Sequence, residues 1–285
     1  MFFIVGVVIV VVSILGGYMP HGDIRVLWQP LEVLIIVGAA TGGFIIGNPK
    51  TVILGALTQF TRVLKGPPYK KEHYLELLTL LYSLFKLANS KGALALEPHI
   101  ENPEESSLFQ QYPNFNGNHH AVEFLCDTMR LMTMGSDNPH ELEAMMDEDI
   151  ETLKHESESV AHAITNMADG LPAFGIVAAV LGVIVTMGSI SEPPEVLGAL
   201  IGGALVGTFL GVLLAYGFVG PIGHSLENYA AAEIKYFQCL KAGIIAHAQG
   251  HAPAISIEYA RKILFPHERP SFIDVEDAVA NVLPA

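Results

Sequence analysis

Residues 204–221, "ALVGTFLGVLLAYGFVGP", decide how the rest of the chain is read. The stretch has no acidic or basic side chain, one threonine (Thr208), a recurring glycine and a terminal proline, Pro221. As a helix it would be about 27 Å long at 1.5 Å per residue, close to the roughly 30 Å of a bilayer's hydrocarbon layer. It reads as a membrane-spanning helix. Whether it is an inert anchor or the wall of a pore depends on what surrounds it.

Working outward, the stretch belongs to an apolar run at roughly 197–219, and three more runs lie at 2–19, 31–47 and 171–190. The second is the shortest, with a single charge, Glu32, at its edge. The first pair is joined by "PHGDIRVLWQP", which with Tyr18 and Trp28 puts aromatic rings where a membrane interface favours them. The second pair is joined by "SISEPPEV". The N-terminal "MFFIVGVVIVVVSILGGYMP" lacks a basic leader and is too long for a signal-peptide core, so an uncleaved first span is expected. The chain is 51% hydrophobic, with a mean hydropathy of +0.43. A net charge of −14 argues against a nucleic-acid partner. Cys126 and Cys239 are far apart in no metal-type spacing, and reduced thiols are expected.

The basic residues set the orientation. All but Arg25 lie either between the two pairs of runs or after Pro221. The positive-inside rule therefore places the large middle segment and both termini in the cytoplasm. The expected architecture is all-α, a polytopic membrane protein with four transmembrane helices and a mostly helical cytoplasmic domain. Its parts are transmembrane helices at 1–19, 31–47, 171–190 and 197–221, and short periplasmic connectors at 20–30 and 191–196. A cytoplasmic helical domain occupies 48–170 and a cytoplasmic tail 222–285.

Within the middle segment, residues 72–97 are leucine-rich with helical spacing and break at Gly92. Residues 101–120, "ENPEESSLFQQYPNFNGNHH", read as loop because Pro, Asn and Gly cluster there. Met146, Ile150, Leu153, Ser157, Val160, Ile164 and Met167 alternate by four and three, the spacing of a helix packed along one seam. That helix leads straight into the third span, interrupted by Gly170 and Pro172, and a helix extending out of the membrane into a cytoplasmic bundle is the expected structure.

Catalysis finds little support. None of the twelve histidines forms HExxH. His119 and His120 are adjacent, and His247 and His251, at i and i+4, lack a carboxylate or cysteine beside them, so no metal site is expected. "GGFIIGNPK" lacks the ending of a phosphate-binding loop. Neither enzymatic activity nor a cofactor is expected.

Gly203, Gly207 and Gly211 form a small-residue stripe, extended by Ala199 and Ala215. Small residues let helices approach closely in lipid. The stripe could pack inside one subunit or around a partner helix, and spacing does not choose. Spans three and four contain no charge, so an ion crossing here needs a titrating carrier from another chain, with Thr208 and backbone carbonyls as its solvating groups. Pro172 is either a first-turn proline or, with Pro221, a hinge at the cytoplasmic boundary.

Five segments carry a resemblance: "QPLEVLIIVGAA" (29–40), "LEPHIENPEES" (96–106), "DGLPAFGIVAAVLGV" (169–183), "VGTFLGVLLAYGF" (206–218) and "PSFI" (270–273) after "ER". In this order they resemble the flagellar motor stator A-subunit family, MotA, nearly end to end. The related ExbB and TolQ energisers share the last two spans but have three in total. The resemblance implies a homo-oligomer, a pentamer around two copies of MotB, whose single membrane helix supplies the titrating aspartate. Ion flow would drive the cytoplasmic domain against the rotor protein FliG, for motility and chemotaxis at the bacterial inner membrane. One charge falling through ~100 mV releases about 2.3 kcal/mol.

By the same resemblance, Pro172 and Pro221 transmit conformational change, and Thr208 faces the ion path. Glu97 lies in the rotor-facing patch. The family's arginine eight residues before that glutamate is Asn89 here, with Lys91 or Lys86 as electrostatic substitutes. Sodium-type relatives place a second threonine where this chain has Ala179, so protons are favoured over sodium. The alternatives are an ExbB/TolQ-like energiser of outer-membrane transport and a non-conducting membrane scaffold.

Overall fold

The computed structural model describes residues 2–66, 68–135 and 138–282, without the side chains of 2 and 62–65. Every regular element among the described residues is helical. They are α1 (Phe2–Tyr18), α2 (Ile24–Leu27), α3 (Pro30–Gly47), α4 (Lys50–Lys65), α5 (Lys71–Lys91), α6 (Glu97–Glu101), α7 (Pro113–Asn116), α8 (His119–Thr133), α9 (Pro139–Gly188), α10 (Pro194–Val212), α11 (Gly220–Ala248), α12 (Pro253–Lys262) and α13 (Phe272–Ala280). A π-helical segment, Leu213–Val219, joins α10 to α11.

The chain divides into two compact units, 1–66 with 156–230 and 67–155 with 231–285. In the first, three stretches are long and apolar enough to cross a membrane: Ile24–Gly47, within Pro139–Gly188, and within Pro194–Ala248. α1 is equally apolar but has 17 residues. The starts of these helices follow local chemistry. Asp23 caps α2 by accepting the Arg25 backbone N–H at 2.9 Å, and Pro30 takes the first position of α3, where its missing N–H costs nothing. The unit buries little: Ile36, Ala40, Leu171, Ala178 and Ala215 form its central cluster. Ile46, Ile184 and Leu205 point outward with 88%, 61% and 66% of their surface exposed. That inversion of the water-soluble pattern suits a surface that faces hydrocarbon.

The second unit has an ordinary core. α5 contributes Tyr74, Leu77, Leu78, Leu81, Leu84 and Phe85; α8 and α11 add Leu125, Met129, Phe237 and Leu240. Gly92 ends α5 at φ +87°, a conformation glycine reaches without a Cβ penalty. Residues 101–120 are not an open loop. Leu108, Phe109, Tyr112 and Phe115 are buried in this core, because Pro113 starts a short helix whose Phe115 N–H donates to Glu76 at 3.0 Å. The C-terminal residues share the same core through Ile257, Leu264 and Val275. Arg261, 7% exposed, donates to the Pro270 carbonyl at 2.9 Å and to both Glu258 oxygens. Ser271 and Asp274 form a capping box that starts α13, and Lys71 reaches Asp274 at 2.6 Å. The "ERPSFI" motif is therefore a tether for the end of the chain.

The helix expected to lead into the third apolar run does so, but without the expected interruption. Gly170 and Pro172 do not interrupt α9, which runs unbroken through 50 residues with Pro172 inside it. A first-turn role for Pro172 is excluded. Packing on both sides holds the helix together: Leu171 and Ala178 are buried against neighbours in the first unit, enough to offset one missing backbone hydrogen bond.

Candidate functional site

α9 and α10 meet along small residues on both helices. A Cβ built on Gly211 would stand 2.8 Å from Gly175 Cα and 2.8 Å from the Leu171 carbonyl oxygen. One on Gly207 would stand 3.2 Å from Ala178 Cβ and 3.2 Å from the Ala179 nitrogen, and one on Gly182 would stand 2.7 Å from Ala204 Cβ. Within this chain Gly207 and Gly211 thus pack against α9, while Gly203 packs against Gln29. The matching stripe on α9, Gly175–Ala178–Gly182, is visible in "FGIVAAVLG" and was the missed half of the pattern.

α3 closes the upper part of this seam. The Gln29 amide lies against Gly203, where a Cβ would be 3.1 Å from Nε2. The Glu32 carboxylate lies against Gly207, with Oε2 3.0 Å from a built Cβ, and against Gly182, with Oε1 at 3.6 Å. Glu32 Oε2 is buried and has no hydrogen-bond partner among the described residues. Ala179 and Gly207, the residue before Thr208, therefore share one small neighbourhood with a carboxylate that sequence reasoning left at the edge of span two. The signal was present: Glu32 is the only acidic or basic side chain in 31–47.

Thr208 is half-buried on α10. Thr186, on α9, donates back to the Gly182 carbonyl at 2.9 Å, the usual fate of a membrane hydroxyl. Thr208 makes no such bond among the described residues, so its hydroxyl is available to another group.

Pro221 acts on the chain before it. Proline cannot donate to the carbonyl one turn back, and the seven residues Leu213–Val219 widen into a π-helix, closed by Gly220 N–H on the Ala215 carbonyl. Such segments recur at functional sites. A Cβ on Gly220 would stand 2.9 Å from that same carbonyl, so glycine is required there. Nearby, Glu227 pairs with His224 at 3.1 Å and His162 at 4.0 Å, and Thr165 Oγ1 is buried without a hydrogen-bond partner among the described residues.

In the second unit, Lys86, Asn89, Lys91 and Glu97 are all exposed. Lys86 places its ammonium 5.8 Å from the Tyr82 ring centroid. Lys91 is near the acidic stretch: the His99 imidazole is held below its ordinary pKa by burial and then by the Lys91 charge. Sequence reasoning missed Arg130, which bridges Glu101 at 2.7 Å and Asp127 at 2.6 Å. The Glu101 pair, 29 residues away, leaves no spacing signal, whereas Asp127 stands at i, i+3.

His247 and His251 do not converge. His247 stacks on Phe85 with centroids 4.3 Å apart, and His251 stacks on Tyr259 at 5.2 Å. Both cysteines are free and buried, and burial pushes the Cys126 thiol up to about 12.

With this geometry in place, the chain can be set against known proteins. The model described as "Motility protein A N-terminal" matches residues 4–92, and that of the MotA/TolQ/ExbB proton channel family matches 117–239. "Motility protein A" of Escherichia coli (strain K12) is 43% identical over 283 residues, covering 99% of this chain and 96% of that protein. "Chemotaxis protein LafT" of Vibrio parahaemolyticus is 36% identical over 277 residues, covering 97% of each. Two solved structures share the fold: C. jejuni MotAB, with a TM-score of 0.78 at 23% identity over 94% of this chain and 98% of that one; and the flagellar MotAB stator complex from Bacillus subtilis, with a TM-score of 0.72 at 24% identity over 90% and 92%. Matched along almost its whole length to relatives well above 30% identity, the chain belongs to the motility protein A family, within the MotA/TolQ/ExbB proton channel family.

Proposed function

We propose that this chain is the A-type stator subunit of a bacterial flagellar motor, converting an ion gradient into torque without enzymatic chemistry. The observation that carries it is the alignment with motility protein A over 99% of the chain. In this reading α1, α3, the C-terminal part of α9 and α10 are four spans of the inner membrane, and both termini are cytoplasmic. Residues 172–188 of α9 and 196–212 of α10 carry no acidic or basic side chain, which supports a division of labour in which a MotB-type partner supplies the titrating aspartate and Thr208 solvates the ion. Five copies around two partner helices, with lipid outside, complete the unit. Pro172 and the π-turn before Pro221 pass the motion on, and Lys91, Lys86, Asn89 and Glu97 meet the rotor protein FliG. Protons are the coupling ion, because Ala179 offers no side-chain oxygen to sodium.

An ExbB/TolQ-like energiser is the second reading. The match of residues 4–92 to the motility-specific N-terminal model favours the flagellar branch. Co-expression with a one-span partner lacking its plug segment tests the proposal. Proton leak into the cytoplasm, co-purification with FliG and swimming that survives sodium removal are expected. No leak would favour the scaffold, and co-purification with an ExbD-like chain instead would favour the energiser.

A further inference from the structure

The stator reading gives this chain no ionisable group of its own in the ion path, yet Glu32 is placed where one would act. It stands in the first turn of α3, just after the connector whose Trp28 is 78% exposed. Its carboxylate turns inward onto the α9–α10 seam, against Gly207 and Gly182. Oε2 is buried with no hydrogen-bond partner among the described residues.

A structural glutamate in this position would be expected to have a donor. Gln29, three residues earlier, donates instead to the Val26 carbonyl at 3.1 Å. The outer part of α9, from Pro172 to Gly188, has no acidic or basic side chain. The charged groups on the other elements packed here are Arg25 on α2 and Glu195 in the first turn of α10; both are exposed, and neither is paired with Glu32 among the described residues. Leaving a carboxylate oxygen buried and unpaired is costly, and ionisable side chains inside membranes mark ion pathways. The cradle is also specific: at Gly207 a side chain would crowd Oε2 itself.

Resting on the stator reading above, we propose that Glu32 is a proton-carrying waypoint in the outward half of the path. Its carboxylate takes a proton from water on the outer side, becoming the neutral acid. It then releases that proton inward, through water, toward the partner chain's aspartate, returning to the carboxylate. No bond other than O–H forms or breaks, and no co-reactant is needed.

The test uses the full complex with its one-span partner, with and without the plug segment. Glu32→Gln removes the exchangeable proton while keeping the shape. It is expected to lower the proton leak of the unplugged complex by about tenfold or more, as for loss of a proton-transferring side chain, with unchanged membrane levels and partner co-purification. Glu32→Asp is expected to retain much of the leak but to shift its dependence on external pH. A Glu32→Gln leak equal to wild type overturns the proposal. Should Glu32→Gln fail to accumulate, a Glu32→Asp profile superimposable on wild type overturns it. A wild-type complex that does not leak overturns the stator reading and this inference together, whereas a leaking wild type confines any failure to Glu32.

Discussion

At Gly211 a methyl group has nowhere to go, because the atoms facing it are backbone: Gly175 Cα and the Leu171 carbonyl oxygen, both 2.8 Å from a built Cβ. Flexible side chains could yield, but two helix backbones can only separate. Gly211→Ala is therefore expected to destabilise the protein by about 1–3 kcal/mol, the usual cost of overpacking. Gly198→Ala, with nothing within 4 Å, is expected to be silent. The apparent melting temperature of the purified complex checks the pair. A different residue-scale effect sits at His247, whose pKa is lowered by burial. The folded protein then binds a proton less readily than the unfolded chain, so this contribution to stability is present above the ordinary imidazole range and is lost as pH falls through it. His247→Phe, which keeps a ring against Phe85, should flatten the fall in melting temperature between about pH 7.5 and about pH 5.5. An undiminished fall would assign the pH dependence to other groups.

At the scale of elements, α9 and the π-turn carry the two prolines in different ways. Pro172 is absorbed into a continuous helix, whereas Pro221 is preceded by seven residues of widened π-helix. Both leave a carbonyl one turn earlier without its helical donor. Pro172→Ala would supply that donor to Ala168 and remove the weak point. Membrane levels and partner binding are expected to be unchanged, while swimming is abolished. Loss of the protein from the membrane would instead assign Pro172 to folding. The glycine stripe on α10 could be read from its spacing, and so could its partner stripe on α9. Their mutual contact could not, since close approach in lipid depends on which helix faces which. Residues 101–120 show the converse: their turn-forming residues were plain, but their burial depended on a core completed by α5 and α8.

For the molecule as a whole, the exposed patch of Lys86, Asn89, Lys91 and Glu97 should matter only when the rotor is present, because exposed charges add little to stability. Lys91→Glu is expected to shrink soft-agar swarms several-fold, roughly what losing one interfacial ion pair costs, and more than Lys65→Glu does. Equal effects would remove Lys91 from the rotor contact. Apolar runs were enough to determine long, apolar helices, which follow from composition and local spacing, and the ordered motifs were enough to point to the family by resemblance. Tertiary structure alone decided that Pro172 lies inside a helix, that Gly207 and Gly211 face α9, and that Ile257, Leu264 and Val275 complete a core with α5. It also brought Glu32 to Gly207. The physical reason is the same in each case: a side chain's role here is set by the neighbours that packing gives it, and those neighbours come from distant parts of the chain.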